Sequence, residues 1–300
     1  MSATFLAVIN PAAGGGRCRK LIAPALDRLR SGGIALEIAE TQSPGHASRI
    51  VRQAAARGYR KFIAVGGDGT SFEIVNGLFP QDDSWERPTL AFLPLGTGNS
   101  FLREFTERGV EHAIEALLAH RSQPCDVLRM QHAEGAIYYI NLLSMGFAAD
   151  VAALRARRFR GWGEFGYQSS IFISLLRLRR RPFPLRVDGE ADIDRRPCLF
   201  LTFNNSKFTG GTMMIAPKAE VNDGLIEYVR WGPIGRIGLI RNLPTLYDGS
   251  HIRHPLAERC PAKRIEFYLD AAVDAMVDGE VFSLRCKTLD VLPGAIDVVV

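Results

Sequence analysis

Five consecutive residues, Gly66-Gly67-Asp68-Gly69-Thr70, combine small residues with a single acid. They follow the apolar run 62–65, which predicts a buried strand, and they precede 71–76, which predicts the first turns of a helix. Glycines at such a turn have no Cβ, so backbone N–H groups can close on an anion at the helix N-terminus. A carboxylate beside a phosphate is repulsive unless a cation or a transferred proton mediates. The combination favours phosphoryl transfer, with an ordinary turn as the alternative.

Two more glycine-rich loops follow predicted strands. In residues 10–17 (NPAAGGGR) a run of glycines is followed by Arg17, whose planar guanidinium suits a phosphate. This loop matches neither a Walker A loop nor a GxGxxG fingerprint. Residues 94–100 (PLGTGNS) place Thr97 and Asn99 as small polar groups beside glycines. Open α/β sheets bind their ligands at the carboxyl ends of strands. Because all three loops lie there, the sequence predicts a nucleotide site.

The first part of the chain alternates strand and helix signals. Strands are predicted at 5–9, 34–39, 61–65 and 89–93. Ser43-Pro44 is predicted to open the second helix as its N-cap and first residue. Apolar strands alternating with helices predict a parallel, doubly wound sheet covered on both faces. We expect this α/β domain to span 1–124, with the final strand at 294–300 returning to it.

Residues 125–293 follow a different rhythm. Short strand signals separated by turn residues predict an antiparallel sandwich or barrel, and one of these strands is predicted at 136–143. A single helical insertion is predicted at 151–180. His251 and His254 have no third ligand at a useful spacing, so we expect surface histidines here and no zinc site.

The overall composition is that of an ordinary globular protein, with 47% hydrophobic and 23% charged residues. The longest apolar run, 171–176, is far shorter than the roughly 18 residues that span a bilayer. The N-terminus lacks the basic region of a signal peptide. Five cysteines are scattered and never form CxxC, which is typical of reduced thiols in a cytoplasm. We therefore expect a cytoplasmic protein.

Residues 151–181 contain eight arginines and one acid, a net charge of +7, whereas the whole chain carries +5. Bulky aromatic residues such as Trp162, Phe165 and Tyr167 are interleaved with these arginines. Cations and aromatic rings together are typical of a face that docks on an anionic membrane surface, with a solvated helix face as the alternative. No nucleic-acid motif accompanies the arginines, so no nucleic-acid partner is expected. A homodimer stays an open alternative.

The three loops, in this order and spacing, resemble the catalytic domain of the diacylglycerol kinase superfamily, which includes sphingosine and ceramide kinases and bacterial lipid kinases. The later segments that resemble the same family are Asn204, Gly210-Gly211, 216–219, 222–225 and 277–280. The resemblance implies an N-terminal Rossmann-like domain related to those of 6-phosphofructokinase and NAD kinase, a C-terminal antiparallel β-sandwich, and an active site between them. It implies an ATP- and Mg²⁺-dependent kinase that phosphorylates a hydroxyl of a membrane lipid and is peripherally associated with the membrane.

The resemblance also implies roles for individual residues. The implied ATP contacts are Asn10, Thr41, Gly66, Gly67, Asp68, Gly69, Thr70, Ser71, Phe72 and Thr97, to which the loop chemistry adds Arg17 and Asn99. A structural Mg²⁺ would be held by the Asp223 carboxylate with backbone carbonyls of Glu220 and Leu225. A separate catalytic Mg²⁺ is expected near Asp68.

The proton acceptor is harder to assign, because VDGE occurs twice, at 187–190 and 277–280. Asp-Gly between alternating strands is also a strong hairpin signal. The family pattern places its acceptor in the second copy, which implies Glu280, with Asp278 as a neighbour that binds metal or accepts the proton instead.

Diacylglycerol is the default lipid acceptor, followed by a sphingosine or ceramide. An NAD kinase and a non-catalytic nucleotide-binding regulator are the remaining alternatives. Departures from the family pattern at Ser71-Phe72 and 100–102 bear more on the acceptor than on the nucleotide.

Overall fold

The computed structural model describes residues 4–81, 86–96, 98–159 and 162–300, and gives the backbone alone for residues 17, 163, 164 and 166–168. The chain forms two compact units. The first comprises Met1–Val127 with Leu292–Val300, and the second comprises Leu128–Val291. The sheet of the first unit is parallel, and the strands of the second unit pair antiparallel, so the mixed architecture predicted from sequence is confirmed.

The first unit is built from alternating strands and helices. In chain order they are β1 Phe5–Ile9, α1 Arg17–Ser31, β2 Leu36–Glu40, α2 His46–Ala56, β3 Lys61–Gly66, α3 Asp68–Leu78, β4 Thr89–Pro94, α4 Val110–Leu118 and the start of β5 Ser122–His132. Parallel pairing joins β2 to β1, β1 to β3 and β3 to β4. The end of the last strand, β17 Cys286–Val299, pairs parallel with β4, with Asp297 opposite Thr89.

Alternate residues of these strands enter different cores. One core cluster joins Ala7 and Ile63 of the sheet with Leu29 of α1 and Ile114 of α4, all of them buried. On the opposite face α2 and α3 pack together. Strands covered on both faces have no polar side to alternate, which explains their continuous apolar sequences.

The second helix begins differently from the sequence prediction. The helix starts at His46, and its N-cap is Gly45, which has no side chain to cap it. The prediction of Ser43 as the N-cap and Pro44 as the first residue was therefore wrong. The Glu73 carboxylate of α3 supplies the acceptors, taking N–H groups from Gly45 at 2.7 Å and Ala47 at 2.9 Å. A carboxylate from a neighbouring helix therefore replaces the local cap, satisfying amides that the helix itself leaves open.

The second unit contains short strands and three helices among its described residues. In chain order after β5 they are β6 Gly135–Tyr139, β7 Leu142–Gly146, α5 Phe147–Arg158, α6 Gly163–Leu176, β8 Leu185–Val187, β9 Phe200–Asn204, β10 Phe208–Thr209, β11 Met213–Met214, β12 Ile226–Trp231, α7 Arg236–Asn242, β13 Ala257–Ala262, β14 Arg264–Phe267, β15 Val273–Val277 and β16 Glu280–Leu284. Six of them form a sheet in the order β13-β12-β9-β7-β15-β16. A second set pairs β8 with β14 and β14 with the start of β17.

Four sequence predictions differ from these bounds. The final strand predicted at 294–300 begins earlier and runs over Cys286–Val299. The strand predicted at 34–39 runs over Leu36–Glu40. The strand predicted at 136–143 is two strands, because the chain turns between Tyr139 and Leu142. The single helical insertion predicted at 151–180 is the helix pair α5 and α6. No helix in the part of the chain that the structure describes is both long and apolar enough to cross a membrane.

Glu73→Ala should lower the free energy of unfolding by about 1–3 kcal/mol, because two amides at the start of α2 lose a charged acceptor. Denaturant unfolding followed by circular dichroism measures this. Glu111→Ala is the matched control, since Glu111 forms an exposed ion pair with Arg28, which is typically worth about 0–1 kcal/mol. Equal effects of the two substitutions would contradict the capping role.

Candidate active site

The three loops singled out from sequence all leave the same edge of the first unit's sheet. The neighbours of β1 are β2 and β3, which lie on opposite sides of it, so the chain reverses its direction of winding at this strand. A crevice opens at the carboxyl ends of strands at such a switch point. The loops after β1, β3 and β4 begin there.

The second and third loops touch through their glycines. The Gly96 N–H donates to the Gly66 carbonyl at 2.8 Å, and the Asp68 N–H donates to the Gly98 carbonyl at 2.9 Å. A Cβ on Gly67 would lie 2.6 Å from the Gly98 oxygen, and one on Gly96 would lie 2.7 Å from the Gly67 Cα. Backbone fills the space on both sides, so neither position accepts a side chain.

Asp68 is the first residue of α3, and its carboxylate faces the third loop. Its Oδ2 accepts the Ser100 N–H at 2.9 Å. Burial raises the pKa of the Asp68 carboxyl, and hydrogen bonds from Ser100 and from the Phe101 N–H offset part of that rise. A small pocket beside it is lined by Gly67, Asp68, Asn99 and Phe101, among others. An acid held at a glycine-walled pocket can take up a cation or a proton.

Two more predicted nucleotide residues lie at the neighbouring strand ends. Asn10 follows β1, its N–H donates to the Val65 carbonyl, and its Oδ1 accepts the Ala12 N–H. Thr41 follows β2, and its N–H donates to the Ile9 carbonyl at 2.8 Å. Backbone hydrogen bonds thus join the carboxyl ends of the three strands.

The structure restricts what the other predicted residues can offer. Thr70, Ser71 and Phe72 are buried, so they present little surface to a ligand. The Thr70 and Ser71 N–H groups both donate to the Gly67 carbonyl. Asn99 is half-buried, and its side-chain amide donates to the Gly96 carbonyl. The Arg17 side chain and all of Thr97 lie outside the described residues.

In the second unit, Asp278 and Gly279 form the turn between β15 and β16, with φ values of +45° and +89°. The Asp278 carboxylate is buried and accepts three backbone N–H groups from the turn between β6 and β7. They come from Ile140 at 3.2 Å, Asn141 at 3.1 Å and Leu142 at 2.9 Å. The carboxylate therefore fixes one turn against another. Glu280, by contrast, is exposed at the start of β16.

The first VDGE copy has the same local structure. Asp188 and Gly189 take φ values of +44° and +75°, and the Asp188 Oδ1 accepts the N–H groups of Lys263 and Arg264. In both copies the aspartate binds backbone amides of an adjacent segment, while the glutamate is exposed. The two VDGE sequences therefore share a turn structure, so the repeat by itself does not indicate a shared chemical role.

The predicted structural metal site is a surface turn. The Asp223 Oδ1 accepts the Leu225 N–H at 2.9 Å, Gly224 has a φ of +72°, and both Asp223 and Glu220 are exposed. Among the described residues there is no cluster of three or more His, Cys, Asp or Glu side chains able to hold a metal. One carboxylate with backbone carbonyls is nevertheless a hard-oxygen set, which suits an Mg²⁺ ion that keeps most of its waters.

One histidine prediction was wrong. His251 is only 1% exposed, and its two ring nitrogens lie 3.2 Å and 3.1 Å from the carbonyl oxygens of Thr245 and Ile215. It ties two segments of the second unit together, which its surface-like sequence neighbourhood does not indicate.

Two family models match the chain, the diacylglycerol kinase catalytic domain over residues 4–130 and the YegS C-terminal NAD kinase beta sandwich-like domain over residues 141–300. The chain belongs to the YegS-like lipid kinase family and carries a diacylglycerol kinase catalytic domain. This lipid kinase is 26% identical to a diacylglycerol kinase of Bacillus subtilis, over 91% of this chain and 88% of that one. It is 30% identical to a probable YegS-like lipid kinase of Chromohalobacter salexigens, over 91% of this chain and 86% of that one.

A solved structure has the same fold. The crystal structure of a putative diacylglycerol kinase from Bacillus anthracis matches the lipid kinase with a TM-score of 0.79 and 22% identity. The match covers 99% of this chain and 95% of that one.

Sequence reasoning about the kinase missed the residues that orient its acids. Ser100 donates its backbone N–H to Asp68, and 140–142 donate theirs to Asp278. A backbone donor leaves no mark in a sequence, since every residue except proline carries one.

Asp68→Asn should stabilise the kinase at neutral pH. Burial raises the pKa of Asp68 in the folded state, so the folded protein holds this proton more tightly than the unfolded chain, and stability falls as pH rises through that interval. The gain from the substitution should therefore shrink as pH falls toward the ordinary pKa of an aspartate. Thermal unfolding between about pH 4 and pH 8 measures it. Asp27→Asn, an exposed control, should change little, and a destabilised Asp68→Asn protein at pH 7 would contradict the argument.

Proposed function

We propose that this lipid kinase uses ATP and Mg²⁺ to transfer the γ-phosphoryl group to a hydroxyl of a membrane lipid, most simply diacylglycerol. The observation that carries the proposal is the junction of the second and third loops around Asp68, in which backbone amides and an acid lie together at a strand-edge crevice. Phosphoryl transfer depends mainly on such positioning and charge neutralisation.

For the nucleotide, we assign the phosphates to the glycine-walled turn 66–69 at the start of α3, where backbone N–H groups and the helix dipole favour an anion. Asn10 and Asn99 lie beside this turn, and Thr41 lies two strands away at the end of β2. Arg17 and Thr97 complete the set by resemblance to the family.

Two residues are proposed to hold cations. Asp68 would orient the ion that accompanies ATP, and Asp223, with the carbonyls of Glu220 and Leu225, would hold a second ion that stabilises the turn 220–225. Bound Mg²⁺ supplies neutralisation of the charge that develops on the transferred group.

Glu280 is the proposed proton acceptor, and Asp278 is proposed to position it. The Asp278 carboxylate already accepts three backbone N–H groups and is buried, so it has little capacity left to accept a proton from a substrate. Glu280, two residues further on, is exposed. A lipid hydroxyl is a weak nucleophile, so a carboxylate that accepts its proton assists the attack.

Diacylglycerol is favoured as the acceptor because several of the similar proteins carry that name. A sphingosine or ceramide is the next candidate. NAD is a weaker candidate because the family's catalytic-domain model matches the nucleotide half.

The direct test is transfer of label from radiolabelled ATP to a panel of dispersed diacylglycerol, sphingosine and ceramide, with NAD as a control acceptor. Glu280→Gln should lower turnover about a hundredfold or more while leaving ATP binding intact, because it removes proton acceptance alone. Glu190→Gln, the same change in the other VDGE copy, should be near normal. An inactive Glu190→Gln enzyme beside an active Glu280→Gln enzyme would reverse the assignment, and labelling of NAD alone would overturn the lipid acceptor.

We further propose that the arginine-rich segment 155–181 attracts the enzyme to anionic membranes as a peripheral protein. Its arginines are not equivalent. Arg181 forms an ion pair with Asp150 at 2.5 Å and lies over the Phe183 ring, and Arg157 pairs with Asp274. Arg160 lies outside the described residues. Arg177 and Arg179 are exposed at the end of α6 and are better probes of the surface.

Arg177→Ser with Arg179→Ser should weaken sedimentation with phosphatidylglycerol vesicles roughly tenfold or more, because each basic residue near such a surface contributes about 1 kcal/mol. The loss should vanish at high salt, where the attraction is screened. The control is Arg195→Ser with Arg253→Ser, which removes the same charge from exposed positions elsewhere. Equal losses of vesicle binding in both double variants would show that only the net charge matters, and they would contradict the assignment to this segment.

A further inference from the structure

A short helix outside the arginine-rich segment exposes large apolar side chains. In α7, Leu239 is buried at 2% exposure, while Ile237 and Ile240 point outward at 67% and 51%. Residues three apart share one face of a helix, so the two isoleucines form one patch. Leu243 and Tyr247, just after the helix, are also exposed. Single exposed apolar residues are common on protein surfaces, whereas several of them side by side are typical of an interaction site.

The patch lies next to a second one at the end of α6. The Arg236 side chain at the start of α7 donates to the carbonyls of Leu175 at 3.0 Å and Leu176 at 2.7 Å. Arg180 likewise reaches the Pro233 carbonyl before α7. On α6 itself, Phe172 and Leu176 are one turn apart and are 61% and 56% exposed. The two helix ends therefore form one surface, which we call the α6–α7 surface and which comprises Phe172, Leu176, Ile237 and Ile240.

Most of the exposed charged residues beside this surface are arginines, and Arg177, Arg179 and Arg180 follow the end of α6. Arg181 is paired with Asp150, and Arg230 is buried beside Asp194 and Glu258, so neither adds to the surface charge. The acids nearest in sequence are Glu164 at the start of α6 and the exposed Asp248 after Tyr247. Arg236 and Arg241 of α7 are exposed beside the isoleucines. Apolar groups surrounded by an excess of cations are complementary to an anionic lipid surface.

We propose that the α6–α7 surface inserts into the interfacial layer of an anionic bilayer, with α7 supplying apolar insertion. The arginines that follow α6 and those of α7 would contact lipid phosphates. The proposal deepens the proposed function, because a kinase acting on a bilayer lipid must hold its second unit at the membrane. It adds a hydrophobic component from a segment that the arginine-rich sequence does not include. Salt-resistant binding distinguishes this component from charge attraction alone.

The test is sedimentation of the full chain with phosphatidylglycerol–phosphatidylcholine vesicles, without ATP, at low salt and at about 1 M salt, where charges are screened beyond roughly 3 Å. Ile237→Ser with Ile240→Ser should lower the partition coefficient about tenfold at both salt concentrations, since apolar burial is the term removed. Leu21→Ser, at a residue 47% exposed on α1, is the matched control and should bind like the wild type. Circular dichroism and unfolding midpoints establish that each variant is folded.

Several outcomes would overturn the proposal. They are unchanged binding of the α7 variant, a wild type that binds no vesicles, and an equal loss in Leu21→Ser. A wild-type dimer that the α7 variant turns into a monomer, with vesicle binding intact, would assign the surface to a second copy of the chain instead. Failure of the kinase assay leaves this result unaffected, because the sedimentation needs neither ATP nor turnover. The proposed kinase function and the proposed docking surface can therefore be contradicted independently of each other.

Discussion

Two loops of the first unit approach so closely that only backbone fits between them, and the proposed chemistry depends on that approach. Gly67 and Gly96 meet with no room for a Cβ on either, and hydrogen bonds from Gly96 and Asp68 close the contact. The consequence is that Asp68 is held at a strand edge with its carboxylate against the Ser100 amide. Burial raises the pKa of the Asp68 carboxyl, because a buried carboxylate loses its hydration. Keeping this side chain ionised therefore lowers the stability of the folded protein, whereas an exposed aspartate would not. Such a cost is characteristic of a functional position.

The second unit fixes its acids by the same means, backbone amides on a carboxylate. Asp278 accepts three of them and is buried, while Asn205 and Ser206 bond to the carbonyl of Ile140 and the side chain of Asn141 in the same turn. These bonds make the turn rigid, because breaking any of them leaves a desolvated donor or acceptor unpaired. The exposed Glu280 follows directly from this rigid turn, which is a reason to expect a well-defined position for its backbone.

The surface features proposed to meet a membrane differ in whether the sequence or only the structure reveals them. The arginines of 155–181 stand out in composition, yet Arg181 and Arg157 turn out to be paired with acids. The isoleucines of α7 look like core residues in the sequence, since Ile237, Leu239 and Ile240 are equally apolar. Only the packing of the helix decides that Leu239 is buried and the other two are exposed.

The sequence by itself determined the class of fold, and it indicated the loops on which the proposed chemistry depends. Strand–helix alternation predicted the parallel sheet. The strands at 61–66 and 89–94 agree with their predicted bounds to within one residue at each end. Short buried apolar runs bounded by glycine or proline have few alternatives to a strand. Tertiary structure decided the rest. Glu73 caps a helix 26 residues before it, and buried His251 lies 3.1 Å from the Ile215 carbonyl, 36 residues before it. Asp278 binds a turn more than 130 residues away. Each of these contacts joins a side chain to backbone groups of a distant segment, and backbone groups are the same at nearly every position, so no pattern of residue types records them.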